Sequence, residues 1–170
     1  MAIKKLMGML KIDEAAKAAT KSFNKGEFYA LVSFAAAVAA SDGSVDDSER
    51  TSFIEDCKNL PWMKSFSQEE ILKEFDETVN AIKQNSANAK LEIVEKLAKI
   101  KDAGISQRIL GTVCNIAAAD GNFDPGEIHL VRELAKNLPL ENEEISRIIA
   151  EFASQVEVDK ADGKQVGGWV

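Results

Sequence analysis

Displaced against itself by 78 residues, the chain aligns Ala39-Ala-Ser-Asp42-Gly-Ser-Val-Asp46-Asp-Ser-Glu49 with Ala117-Ala-Ala-Asp120-Gly-Asn-Phe-Asp124-Pro-Gly-Glu127 without a gap. The shared pattern is A-A-x-D-G-x-[VF]-D-x-x-E. An apolar helical stretch precedes each copy and an amphipathic one follows, so each copy is the turn of a helix-loop-helix unit. A single such hairpin cannot bury its own apolar face. The repeat therefore predicts two pseudo-symmetric halves packed against each other.

The rest of the chain agrees with a helical reading. Apolar residues recur at helical spacing almost throughout, and strand-favouring residues are thinly spread. The expected fold is all-α: a single-domain helical bundle of about seven to eight helices. The spacing predicts helices over Ile3 to Ser22, ended by Asn24-Lys25-Gly26, then Glu27 to Ser41 and Asp46 to Asn59, stopping before Pro61. Ser67 and Glu70 form a capping box ahead of the Ile71, Phe75, Val79 and Ile82 stripe. Further helices cover Ala89 to Asp102, closed by Ala103-Gly104, then Ile105 to Ala119, Asp124 to Asn137 and Glu141 to Phe152. Residues 1–153 read as the domain and 154–170 as a mobile tail without periodicity. The predicted core includes Leu31, Phe34, Val38, Ile54, Leu97, Ile109, Val113, Ile116, Val131 and Leu134.

Local chemistry explains much of the repeated motif. Gly43 and Gly121 can take the left-handed conformation that ends a helix. Asp46 and Asp124 are favoured N-caps, Glu49 and Glu127 three residues later complete capping boxes, and Pro125 stands at the first helical position. Val45 and Phe123 act as hydrophobic staples. Capping does not account for Asp42 and Asp120, which carry negative charge to the negative end of a helix dipole at a cost of about 0.3–1 kcal/mol. Carboxylates at the first, fifth and eighth loop positions, with helix-end carbonyls, are hard oxygen donors of the kind Ca²⁺ takes, although the spacing is not that of an EF-hand. Caps alone and a cation site both remain open at this point.

The second copy, Ala118 to Glu127 followed by Val131-Arg-Glu-Leu-Ala135, resembles the second acidic motif of the TerB family of tellurite-resistance proteins. Ala40 to Glu49 is similar to that family's first motif, and the Phe23-to-Phe28 entry into the first core helix also fits. The likeness spans about Ile3 to Phe152. It implies a helical, non-enzymatic protein of the bacterial response to tellurite, other chemical stress and phage. It also implies binding of calcium or another divalent cation, and work at the inner face of the membrane beside an integral membrane partner similar to TerC. Carried over by position, the metal ligands are Asp42, Asp46 and Glu49 in one half and Asp120, Asp124 and Glu127 in the other. The first loop, with Ser44 and the Asp46-Asp47 pair, matches the family less closely, and residues after Phe152 have no counterpart.

Composition narrows the function classes. Among 170 residues, 28 acidic against 21 basic side chains leave a net charge of −7, and no Lys/Arg cluster is present to meet nucleic-acid phosphates. Cations or basic protein surfaces are the natural partners. The sequence holds no phosphate-cradling loop and no nucleophile set around its single histidine, His129, so no enzyme is expected. Cys57 and Cys114, distant and without CxxC spacing, read as buried reduced thiols. The longest uncharged run, Phe28 to Ser41, is too short to span a bilayer, which takes about 20 residues, and the N-terminus makes a poor secretory signal, so the expected location is the cytoplasm. Two further functions compete with cation binding: a metal-independent acidic interaction module, and a peripheral membrane protein held by Lys4, Lys5 and Lys11 interleaved with Ile3, Leu6, Met7 and Leu10. That stripe equally suits a helix packed on its own domain.

Overall fold

The computed structural model describes residues 2–12, 20–119 and 123–161. Among them are eight α-helices and no strand. They are α1 (Ala2–Met9), α2 (Lys25–Ala39), α3 (Asp47–Lys58), α4 (Gln68–Gln84), α5 (Ser86–Ala98), α6 (Ala103–Ala118), α7 (Pro125–Ala135) and α8 (Asn142–Ala161), with a short 3₁₀ turn at Pro61–Met63. The all-helical expectation holds.

The repeat is written into the helix boundaries. A shift of 78 residues carries α2 onto α6 and α3 onto α7, and it carries the N-caps Asn24 and Asp46 onto the N-caps Asp102 and Asp124. Packing follows the same rule: α2 lies on α4 as α6 lies on α8, and α3 meets α4 as α7 meets α8. The halves join where α2 packs on α6. Helix α2 is buried at every position from Ala30 to Val38, as a helix apolar all round must be. Its alanines let α4, α5, α6 and α7 approach.

Nine of the ten predicted core residues are buried; Ile116 is only half-buried, packed at the edge of the core. The core also contains Trp62, which is fully buried on the 3₁₀ turn and was not among the predicted residues. Its ring lies 6.3 Å from that of Phe23. Phe28 stacks on Phe66 at 4.1 Å and Phe53 meets Phe75 at 4.6 Å, so aromatic pairs join α2 to the segment before α4 and α3 to α4 itself. Cys57 and Cys114 are buried and unpaired, as expected. Burial pushes both thiols far above their ordinary range.

Four boundaries differ from the sequence reading. Helix α1 stops at Met9, short of the predicted Ile3-to-Ser22 helix, of which residues 13–19 lie outside the described residues. The Lys11 N–H bonds the Gly8 carbonyl at 3.1 Å and the Ile12 N–H bonds the Met7 carbonyl at 2.8 Å, with Lys11 at φ 60°: a Schellman ending that uses lysine where glycine is usual. Asn24 begins a helix instead of ending one, since its side chain accepts from the Glu27 N–H and Glu27 returns the bond. Similarly, Asp102 caps α6 through the Ile105 N–H at 2.9 Å, so Ala103 and Gly104 open that helix rather than close α5, which ends at Ala98. At the other end α8 continues to Ala161, because the residues from Ser154 to Ala161 include no glycine or proline to break it. Residues 162–170, the remainder of the predicted tail, lie outside the described residues.

The described part of the α1 apolar stripe faces inward. Leu6 is fully buried and Met7 nearly so. The helix docks on α6 at Gly111, where a Cβ would stand 2.8 Å from Leu6 Cδ1 and 3.1 Å from Met9 Cε. Lys5 reaches Glu151 on α8 at 3.3 Å. No described helix is long and apolar enough to cross a membrane.

Candidate functional site

The first acidic loop is built by backbone bonds. Where α2 ends, the Ser41 N–H bonds the Val38 carbonyl at 3.2 Å and the Gly43 N–H bonds the Ala40 carbonyl at 2.9 Å. Gly43 sits at φ 104°, a conformation that a side chain would strain. Asp46 then caps α3: its Oδ1 accepts from the Glu49 N–H at 2.8 Å, and Glu49 Oε1 accepts from the Asp46 N–H at 3.2 Å. In the second loop Asp124 Oδ1 accepts from the Glu127 N–H at 2.8 Å, and Glu127 Oε1 accepts from the Asp124 N–H at 3.1 Å. Both predicted capping boxes are present, and Pro125 stands at the first position of α7. Phe123 is buried and Val45 half-buried against the core, as residues preceding such caps should be.

Asp42 has a structural role that capping logic missed. Its Oδ1 accepts from the Ser44 N–H at 3.3 Å, an Asx turn that shapes the loop at the exposed end of α2. Asp120, its counterpart, lies with Gly121 and Asn122 outside the described residues.

The packing of α2 on α6 brings the ends of both hairpins to one place. A cleft of about 270 Å³ opens there, walled by Asp42, Glu49, Ser48 and Ser52 from the first half and by Ala119, Asp124 and Glu127 from the second. Its floor is apolar: Ala35, Val38 and Ala39 of α2 meet Val113, Ile116 and Ala117 of α6. Four of the six sequence-derived ligand candidates thus share one cleft. Asp46 is not part of its lining. Among the described residues, no three acidic, histidine or cysteine side chains converge closely enough to hold a metal ion as placed. Asp46, Glu49, Asp124 and Glu127 each place one carboxylate oxygen on a backbone N–H of their own capping box.

Ser48 and Ser52 were not singled out from the sequence. They stand four residues apart on one face of α3, so their hydroxyls join the acidic wall. No lysine, arginine or histidine is among the described residues that line the cleft. The nearest basic residue in sequence, Arg50, is turned away, held by a two-pronged bond to Asp76 on α4 at 2.9 and 2.7 Å. His129 is exposed on α7, and its neighbour Glu133 instead pairs with Lys90 of α5 at 2.6 Å.

Two helical hairpins related by the sequence repeat, with their acidic N-caps Asp46 and Asp124 at equivalent places and Glu49 and Glu127 on the walls of one cleft, define the class of this protein. Over residues 28–150 the chain matches the family model described as Tellurite resistance protein TerB, and it belongs to that family. No curated protein and no solved structure matches it.

Proposed function

We propose that this TerB-family protein is a non-catalytic module of the response to tellurite and related chemical stress, which binds a divalent cation in the cleft between its two acidic loops. Ca²⁺ is the favoured ion. The observation that carries the reading is the meeting of Asp42 and Glu49 with Asp124 and Glu127 on one cleft whose described lining holds no lysine, arginine or histidine. Asp46 and Asp120 complete the acidic set of the sequence repeat. Hard oxygen donors from carboxylates, serine hydroxyls and water suit Ca²⁺, which accepts six to eight of them in flexible geometry. The capping bonds are compatible with this, because each uses one oxygen of a two-oxygen group.

Binding should be weak, with a dissociation constant on the order of 10⁻⁴–10⁻³ M, since the ligands must close in from two walls and part of the shell is water. The module works in the cytoplasm, at the inner face of the membrane, with a TerC-like integral membrane partner. Titration with Ca²⁺ and Mg²⁺, followed by backbone NMR shifts, tests the cation reading. Saturable shifts confined to the loops and to the cleft end of α3 support it, and their absence refutes it.

A further inference from the structure

Helix α3 is lightly held. It packs chiefly on α4, whereas its repeat mate α7 packs on α2, α5, α6 and α8. Of its 12 residues, Phe53, Ile54 and Cys57 are the buried ones. A helix with so small a buried face opens more readily than the core around it.

Beside that face stands a residue of the wrong chemistry. The 78-residue displacement carries Phe53 onto Val131, Asp56 onto Leu134 and Cys57 onto Ala135. Val131, Leu134 and Ala135 are all fully buried, so the place that Asp56 occupies belongs to an apolar seam. Its Oδ2 is buried and has no hydrogen-bond partner. An ionised oxygen there is strongly disfavoured, and a neutral carboxyl is tolerated far better. The surrounding groups offer no relief. On α3, Glu55 repels it, Lys58 reaches Glu55 at 3.6 Å, and the Cys57 thiol is held neutral by burial. Arg50 lies about 120° round the helix from Asp56 and is bound to Asp76 on α4. Elsewhere on α4, Glu74 pairs with Lys96, and Glu69, Glu70, Lys73 and Glu77 are exposed. Helix α2 has no ionisable side chain from Ala30 to Ala39.

We propose that Asp56 is a proton-operated latch on α3: neutral, it seats the helix as Leu134 seats α7, and ionised, it releases the helix while the rest of the bundle stays folded. Burial first, then Glu55, raises the Asp56 carboxyl to about 6. The seated helix therefore keeps a proton that the released one gives up. Its closure is fully supported below about pH 4, and that support is lost as pH rises through about 6. Because α3 carries Ser48, Glu49 and Ser52, its release removes one wall of the cleft. Only that consequence rests on the cation reading; the latch itself does not.

Cys57 on α3 and Cys114 on α6 are built-in reporters, since both thiols are buried. The wild-type protein is reacted with a pyridyl disulfide from about pH 5 to about pH 7.5, with the two sites resolved by peptide mass spectrometry. Each rate is divided by that of the urea-unfolded chain at the same pH, which removes the intrinsic reactivity of the thiol. Cys57 should react at least roughly tenfold faster than Cys114, and its corrected rate should rise roughly tenfold across the range. Asp56→Leu, which installs the residue of the equivalent place, should abolish the rise and slow Cys57 by roughly tenfold at the upper end. Asp56→Asn should abolish the rise as well, and it decides the matter if the leucine variant fails to fold by circular dichroism. Equal corrected rates at the two thiols would mean that the chain opens only as a whole. A rise that survives in Asp56→Asn would mean that another group holds α3. Either result overturns the proposal, whereas a missing Ca²⁺ response sinks the cation reading alone.

Discussion

Asp124 separates the structural role of the acidic motif from its proposed chemical one. Its Oδ1 holds the Glu127 N–H at 2.8 Å at the start of an eleven-residue helix. Replacing it with alanine removes the cap, worth about 1 kcal/mol (range about 0.5–2), and removes a charge from the positive end of the α7 dipole, worth about 0.3–1 kcal/mol. Asp124→Ala should therefore cost about 1–2 kcal/mol of stability. Asparagine caps as well as aspartate does and loses only the charge, a loss partly offset by reduced repulsion from Glu127, Asp42 and Glu49 across the cleft. Asp124→Asn should then lie within about 0.5 kcal/mol of wild type. Urea unfolding at pH 7 in the presence of a chelator measures both. Repeating it in about 10 mM Ca²⁺ should add about 1.4 kcal/mol to the wild type if the dissociation constant is near 10⁻³ M, and clearly less to the asparagine variant. An asparagine variant as damaged as the alanine one, or an alanine variant as stable as wild type, would refute the division of labour.

Two other substitutions test features away from the cleft. Lys11 pays for a left-handed conformation at the end of α1, so Lys11→Gly should stabilise the protein by about 0.5–1 kcal/mol in the same urea assay. Asp56 has a buried Oδ2 with no hydrogen-bond partner, and burial first, then Glu55, raises its carboxyl to about 6. The folded state therefore holds a proton that the unfolded chain has released, and stability should fall as pH rises from about 4 to about 6. Asp56→Asn should flatten that slope and leave the protein about 1–2 kcal/mol more stable at pH 7, a gain discounted for partial exposure to water.

The loops were legible in the sequence because their determinants are local. A cap, a left-handed glycine and a glutamate three residues on need no tertiary partner, so Asp46 with Glu49 and Asp124 with Glu127 form the predicted bonds. Helix direction was harder. Asn24-Lys-Gly and Asp102-Ala-Gly combine polar residues with glycine, a signature shared by helix ends and helix starts, and in both places the structure has a start where the spacing predicts an end. The repeat held the correction, since the same displacement that aligns the acidic motifs carries Asn24 and Gly26 onto Asp102 and Gly104. The sequence gives no hint of the Schellman turn at Lys11 that ends α1, because the residues that follow favour helix as strongly as those before. The cleft itself was not legible. Spacing along the chain locates carboxylates on each hairpin, but only the packing of α2 on α6 brings Glu49 and Glu127 to opposite walls of one space and turns Ser48 and Ser52 toward it.

The central claim is that the two acidic loops act together on one cation, and a ¹⁵N-labelled wild-type protein titrated with Ca²⁺ tests it most directly. The predicted result is a single saturable set of shifts that includes Asp42 to Glu49 and Phe123 to Glu127 together, with one dissociation constant on the order of 10⁻⁴–10⁻³ M. Two loops titrating independently with different constants, or no saturable change at either, would contradict the account.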